Sequence, residues 1–232
     1  MIKVLKKIKH YVFFSSLSLK RIIRKFKGEP IIHVIGDSHS LLFQHDLFII
    51  HHIGPATAFK LSSNISTTDS KKKSWHILQS LSKNNRNIVL LVFGEIDCRI
   101  HIYNASIKQN IPLEVAVQNT ISAYSIFLKE LIGYSSNNTI LVLNVLPPGE
   151  QSNIYNVDNY PSRNTQLEIA QLFNKALEEF CLQENIIFLS IFDKLLNSKK
   201  ERIKKYIYDD VHYRKEIVPL IINQLKCKGI SV

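Results

Sequence analysis

The sequence has only three cysteines, Cys98, Cys181 and Cys227, and they lie far apart along the chain. Neither a disulfide framework nor a zinc-binding spacing is visible, which favours a reducing compartment. No apolar run approaches the roughly 20 residues that a helix needs to cross a bilayer. Walker, dinucleotide and kinase motifs are missing, and the histidines show no compact spacing with acids or cysteines. We therefore expect no membrane-spanning helix, no bound metal and no cofactor.

Acidic residues are missing from the first 28 positions, which contain nine Lys or Arg. The rest of the chain has 21 Lys or Arg and 19 Asp or Glu, so it carries only +2 of the formal net charge of +11. The high isoelectric point thus arises from this leader. The remaining residues lack the basic excess typical of nucleic-acid-binding domains, and we expect no nucleic-acid partner.

The leader has apolar residues at alternating steps of three and four, which predicts one helical stripe. The stripe comprises Leu5, Ile8, Val12, Leu19, Ile22 and Phe26, with Ser15 filling the gap between Val12 and Leu19. A basic helix of this kind is typical of segments that lie on an anionic membrane surface. The alternative is a helix packed on the domain or on a second chain. Because the leader matches a signal peptide poorly, we predict a cytoplasmic protein, peripheral on the inner face of the membrane.

After the turn at 28–30 the pattern alternates between short apolar strands and helices, which predicts one α/β domain over residues 29–232. The predicted strands are 31–35, 47–53, 87–93, 139–145 and 186–190. The predicted helices begin at 38 and cover 72–82, 113–132, 163–183 and 213–227, and the polar stretch 150–163 is predicted to be a loop. This alternation indicates a three-layer α/β/α sandwich with a five-stranded parallel sheet of flavodoxin-like order.

Ligands of an open parallel sheet bind beyond the carboxyl ends of its strands, so the residues there are candidates for the site. The first strand is followed by Gly36, Asp37, Ser38 and His39. A serine at this turn can project its hydroxyl above the sheet, with its own N–H at a helix start where an oxyanion is favoured. The alternative is that Asp37 or Ser38 only caps the helix.

Two further strand ends carry distinctive residues. Gly54, followed by Thr57, ends the second strand, where a glycine lets the backbone approach a ligand; an ordinary turn is the alternative. Five ionisable side chains follow the third strand within seven residues. They are predicted to bind a polar substrate, and an ion-pair network among themselves is the alternative. They include Glu95, Asp97, Arg99 and His101.

Asp209 and His212 lie three residues apart, a spacing that places both side chains on one side of a turn or helix. Asp209 can then accept a hydrogen bond from His212 Nδ1 and leave Nε2 free to take the Ser38 proton. The alternative is an acidic cap with His212 packed locally. Ser38, Asp209 and His212 together form the side-chain set of Ser-His-Asp acyl chemistry.

A serine at the first strand end combined with Asp-x-x-His before the last helix resembles the SGNH/GDSL hydrolase superfamily over about residues 31–226. This resemblance implies that Ser38 is the nucleophile, His212 the base and Asp209 its orienting acid. It also implies an oxyanion hole formed by the N–H groups of Ser38 and Gly54. We expect the remaining polar residues of these segments to contact the substrate: Asp37, His39, Thr57, Glu95, Asp97 and His101.

The segment from Gly94 to Asp97 resembles the third conserved block of the family but departs from its pattern, which reads Gly-x-Asn-Asp and uses the Asn side chain as an oxyanion donor. Ile96 stands at the Asn position and has nothing to donate. Arg99 is the candidate replacement, since a guanidinium has two parallel donors, and His101 is the second choice. The form Gly-Glu-Ile-Asp-Cys-Arg resembles that of a bacterial subgroup of SGNH-like proteins.

We expect an esterase or O-acyltransferase that works through an acyl-enzyme. The expected substrate is an acyl ester, such as an O-acetyl ester, of a carbohydrate or glycolipid. A non-catalytic carbohydrate-binding or scaffold protein is the first alternative, and Ile96 motivates it. An adaptor that acts at a membrane surface through residues 1–28 is the second alternative.

Overall fold

A computed structural model describes residues 16–65, 67–81, 86–134, 137–149 and 160–232. Five parallel strands form one sheet in the order β2-β1-β3-β4-β5. The strands are β1 (Ile32–Gly36), β2 (Phe48–His52), β3 (Ile88–Val92), β4 (Thr139–Leu143) and β5 (Ile187–Leu189). The predicted flavodoxin-like order is confirmed.

Helices cover both faces of the sheet. They are α1 (residues 16–26), α2 (Ser70–Ser80), α3 (Ile102–Gln109), α4 (Leu113–Tyr134), α5 (Arg163–Gln183) and α6 (Val218–Cys227). One apolar cluster joins one face to buried residues of α2, α3, α4 and α5, and a second joins the other face to α6. Because β-branched and leucine side chains fill both faces of β3, this strand is buried on both sides, as a central parallel strand requires. The three-layer α/β/α architecture is confirmed.

Three local elements differ from the prediction. The helix expected from residue 38 is a single 3-10 segment, Ser38–Leu42. A π-helical turn, Asp97–His101, leads into α3, in a segment for which no helix was predicted. The last helix begins at Val218, five residues after the predicted start, because Tyr213 pairs with Ile207 in an isolated bridge. Residues 209–214 therefore form a loop at the rim of the sheet, and a 3-10 turn, Lys215–Ile217, leads into α6.

The described part of the leader is α1, which ends two residues before the turn at Gly28. Leu17 is buried, and Arg24 forms ion pairs with Glu29 and Asp46, at 3.4 and 3.5 Å. Residues 1–15 of the predicted leader helix and 150–159 of the predicted loop lie outside the described residues, and the division into a leader and a domain stays a prediction. No described helix is both long and apolar enough to span a membrane.

Candidate active site

The site is built on the carboxyl edge of the sheet, where β1 and β3 approach each other closely. A Cβ at Gly36 would lie 2.5 Å from the carbonyl oxygen of Val92, so only glycine fits there. The next residue, Asp37, donates its backbone N–H to that same oxygen at 3.3 Å. The glycine thus lets the chain leave β1 directly above the sheet, with Ser38 as the first residue of the following 3-10 segment.

Ser38 lies within hydrogen-bond reach of His212. The Ser38 hydroxyl donates to His212 Nε2 at 3.0 Å, and His212 Nδ1 donates to Asp209 Oδ2 at 3.0 Å. The structure therefore brings together Ser38, His212 and Asp209, as the sequence analysis predicted, although 174 residues separate Ser38 from His212. In this arrangement the imidazole faces the hydroxyl with a lone pair and the carboxylate with its N–H, the orientation that base catalysis by histidine requires.

The loop that carries His212 is shaped by the Asp209 side chain. Asp209 Oδ1 accepts the backbone N–H groups of Val211 at 2.8 Å and His212 at 2.6 Å, so the carboxylate closes a tight turn as well as holding the ring. Partial burial raises the pKa of Asp209, but the hydrogen bonds from the His212 backbone and ring and from Val211 outweigh it and lower the pKa to about 2. The acid behind His212 is thus ionised across the physiological pH range.

The loop is also held from the side of β4. The carbonyl oxygen of Pro147 accepts a hydrogen bond from the Tyr213 hydroxyl at 2.8 Å. Gly149 lies so close to Asp210 that any Cβ at position 149 would overlap the Asp210 carbonyl oxygen. The exit of β4 therefore fixes how near the His212 loop comes to the sheet.

A second histidine lies buried beside the first. His39 has 4% of its surface exposed, and its ring centroid is 5.2 Å from that of His212. Its Nε2 donates to the carbonyl oxygen of Val211 at 3.2 Å, and its Nδ1 lies 3.5 Å from Asp37 Oδ1. Burial lowers the pKa of His39, but Asp37, Glu95 and the Val211 carbonyl together raise it to about 9. The sequence predicted a substrate contact for this residue, and the structure gives it a contact with the loop that carries His212.

The residues after β3 form an ion pair. Glu95 accepts from Arg99 Nε at 2.6 Å and from Nη2 at 3.3 Å, one helical turn along the π-helix. Two donors of the guanidinium are therefore occupied by Glu95, and the oxyanion role of Arg99 stays a prediction. Within the described residues no hydrogen bond uses the backbone N–H of Ser38 or of Gly54, the other two predicted donors.

Asp97, a predicted substrate contact, bonds the protein backbone, and its contact with substrate stays a prediction. Its side chain is buried, and its two oxygens accept the backbone N–H groups of Ala58 at 2.6 Å and Phe59 at 3.2 Å. Burial raises the pKa of Asp97 to about 7 against the lowering effect of these two bonds. Since both oxygens bond the backbone after β2, this carboxyl fixes that loop to the π-helical turn.

Asp97 and two other predicted residues, Thr57 and His101, line a second cavity, of about 710 Å³, between that loop and helices α3 and α4. Ile96 and Lys60 border the same space. Burial, followed by the charges of Arg99 and Lys60, lowers the pKa of His101. Among the residues that the structure describes, none that lines this cavity also lines the one that holds Ser38.

The cavity at Ser38 has a volume of about 760 Å³ and is lined in part by residues that the sequence did not single out. They are Gln44, Tyr208, Arg214, Lys215 and Glu216. The sequence could have identified them only by their positions, near Ser38 or on either side of the Asp209–His212 motif. Among the described residues, no group of three or more histidine, cysteine or acidic side chains is arranged to hold a metal ion.

Comparison with known proteins gives similarity in structure but not in sequence. No family model matches the chain, and no curated protein matches it by sequence. Solved structures do match. A Streptococcus pneumoniae protein, provisionally described as a platelet activating factor, has a TM-score of 0.57 and 18% identity, over 98% of this chain and 97% of that one.

Two Bacteroides proteins are similar over 88% of this chain. A protein of Bacteroides fragilis, provisionally described as an acylhydrolase, has a TM-score of 0.56 and 17% identity over 89% of its length. A GDSL-like lipase of Bacteroides thetaiotaomicron has a TM-score of 0.52 and 15% identity over 90% of its length. At such identities the similarity shows the fold alone, and the chain has the fold of the SGNH/GDSL hydrolases.

Proposed function

We propose that this chain is a serine ester hydrolase or O-acyltransferase of the SGNH/GDSL superfamily. The observation that carries the proposal is the chain of contacts from Ser38 Oγ to His212 Nε2 and from His212 Nδ1 to Asp209, each 3.0 Å long. The likeness to a GDSL-like lipase in fold supports it. The same three residue types in this geometry form the nucleophile, base and orienting acid of acyl transfer on several unrelated folds.

The reaction follows from these contacts. His212 Nε2 takes the Ser38 proton while Oγ attacks the ester carbonyl carbon, and the carbonyl oxygen becomes an oxyanion. His212 then gives the proton to the leaving alcohol as the ester bond breaks, which leaves an acyl group on Ser38. Water or a second hydroxyl, deprotonated by His212, attacks that acyl group and releases Ser38. Hydrolysis and transfer differ only in this last acceptor.

The N–H groups of Ser38 and Gly54 are the proposed oxyanion donors. Ile96 supplies no third donor, and one missing donor typically costs about 10²–10³ in turnover. We therefore propose a hydrolase of modest rate, unless Arg99 leaves Glu95 when substrate binds. A non-catalytic carbohydrate-binding protein is the second candidate function, and Ile96 is the observation that favours it.

The proposed substrate is an acyl ester of a carbohydrate or glycolipid. The Ser38 cavity supports this, because polar and charged side chains border it and the aromatic ring of Tyr208 is 71% exposed at its edge. Sugars present hydroxyl groups to polar side chains and apolar ring faces to aromatic ones.

Labelling with a fluorophosphonate, which reacts with serines activated by a neighbouring base, tests the enzymatic proposal. The folded chain is expected to take one label, located on Ser38 by mass spectrometry, and Ser38→Ala is expected to take none. Heat-denatured chain is the control, since the pairing with His212 exists only in the folded state. Absence of label on the folded chain, or label that persists in Ser38→Ala, contradicts the proposal and favours the non-catalytic alternative.

The kinetics of Tyr208 variants test, separately from the enzymatic proposal, whether the substrate contains a sugar. Tyr208→Ala is expected to lower kcat/KM for an O-acetylated sugar about tenfold and to leave it unchanged for nitrophenyl acetate, which has no sugar ring to stack. Tyr208→Phe keeps the ring and is the matched control, expected to behave as the parent. Equal losses on both esters would instead indicate damage to the His212 loop.

A further inference from the structure

Helix α1 contacts the rest of the chain along one narrow side. Leu17 is buried on that side, and Arg21 and Arg24, one and two turns further on, reach the connection that precedes β2. Arg21 Nη2 donates to the carbonyl oxygen of His45 at 3.4 Å, and Arg24 Nη1 lies 3.5 Å from Asp46 Oδ2. The residues that dock this helix are thus mainly its arginines.

The opposite side of α1 is apolar and open to solvent. Leu19, Ile22, Ile23 and Phe26 are 59%, 52%, 45% and 88% exposed. At about 100° per residue these four side chains share one stripe, centred about 180° from Leu17. An amphipathic helix of a globular protein normally buries this stripe in the core, so its outward orientation marks it as a surface for another partner.

Lysines border the stripe on both sides. Lys20 and Lys27 lie along one edge and Lys25 along the other, all three exposed. No acidic residue occurs in the first 28 positions of the sequence, whereas four more lysines precede α1. An apolar stripe edged by lysines complements a surface with negative charge outside and hydrocarbon beneath, which describes a bilayer that contains anionic lipid.

We propose that α1 binds the surface of an anionic membrane through the stripe of Leu19, Ile22, Ile23 and Phe26. The helix lies in the plane of the interface, with its apolar side chains among the acyl chains and its lysines at the headgroups. Its arginines tie it to residues at the amino edge of the sheet, and Ser38 lies at the carboxyl edge. Membrane binding therefore leaves the Ser38 cavity open to the aqueous side.

Sedimentation with vesicles tests this proposal on the full chain. The chain is expected to pellet with vesicles of phosphatidylcholine mixed with phosphatidylglycerol, and to stay in solution with phosphatidylcholine alone or at high salt. Replacing Ile22 and Phe26 together by serine is expected to lower the partition coefficient about tenfold or more. Replacing Lys20, Lys25 and Lys27 by glutamine is expected to weaken binding to the anionic vesicles and to reduce its dependence on salt.

Leu182→Ser is the matched control, because Leu182 is 79% exposed on α5, outside the leader. It is expected to bind vesicles as the parent does, and the melting temperature checks the folding of each variant. Binding unaffected by the Ile22 and Phe26 changes would overturn the proposal. So would a dimer in the absence of lipid that the same changes dissociate, since a second copy would then cover the stripe. Neither outcome bears on the chemistry at Ser38.

Discussion

Replacement of Asp209 by asparagine is expected to lower kcat about 10⁴-fold and to leave the fold intact. An amide oxygen can keep the bonds that Asp209 Oδ1 accepts from the backbone of Val211 and His212. The amide NH₂ then faces His212 Nδ1 and requires that nitrogen to act as an acceptor. The neutral ring must in consequence carry its proton on Nε2, where the Ser38 hydroxyl needs a lone pair.

The measurement is kcat and KM on a soluble aryl ester, with the melting temperature as a check on the fold. KM is expected to change little, since Asp209 acts on the substrate only through His212. Asp210→Asn is the matched control: the same chemical change one residue along, at a side chain exposed to solvent. A loss below about tenfold in Asp209→Asn would mean that this carboxylate does not orient the base.

The second large effect is expected at His39, whose two ring nitrogens have separate partners. Asparagine places an N–H near the Nδ1 position and glutamine near Nε2, so the two substitutions remove different contacts. His39→Asn loses the bond to the Val211 carbonyl and is expected to lower kcat about 10²-fold by loosening the His212 loop. His39→Gln keeps that bond and is expected to stay within about tenfold of the parent.

The same residue is expected to make stability depend on pH. Burial lowers the pKa of His39, but Asp37, Glu95 and the Val211 carbonyl raise it from 6.5 to about 9. The His212 ring also lies beside it. Because the folded state holds this proton more tightly, the stabilisation is complete below pH 6.5 and is lost as the pH rises to 9. The contribution is on the order of 3 kcal/mol.

Denaturant unfolding of the parent between these pH values should therefore show a decline that both His39 variants lack. The difference between the parent and each variant is the informative quantity, since other groups titrate equally in both. Equal slopes would show that His39 is neutral in the folded chain, whereas unequal kcat values for the two variants would still separate its two contacts.

The fold was predictable because short segments of the sequence identify each strand and helix. Each strand is an apolar run that ends at a recognisable residue, as at Gly36 and Gly94, and the helices between them have the length that right-handed crossovers need. The parallel sheet then brings all strand ends to one edge. The meeting of Ser38 with the Asp209–His212 segment followed from that topology and from the family resemblance, without any knowledge of the side-chain positions.

The rest of the site depends on long-range contacts that leave no pattern in the sequence. Asp97 lies among ionisable residues, as a substrate-binding residue would, and only the structure shows that the backbone after β2 occupies both its oxygens. His39 likewise gave no sign that its partner is a carbonyl 172 residues away. Local periodicity predicts strands and helices, whereas the partner of a buried polar group depends on how irregular loops, distant in sequence, pack against one another.

Through its contact with Asp210, Gly149 affects the position of His212, although glycine has no reactive side chain. Gly149 packs directly against the loop that carries His212. The distance of that loop from the sheet therefore depends on a residue that follows β4. Under the proposed mechanism, a side chain there would displace His212 from Ser38 and abolish activity while Ser38, His212 and Asp209 all remained in the sequence. A mutational survey is therefore expected to find position 149 as sensitive as a catalytic residue, although it would make no contact with the proposed ester.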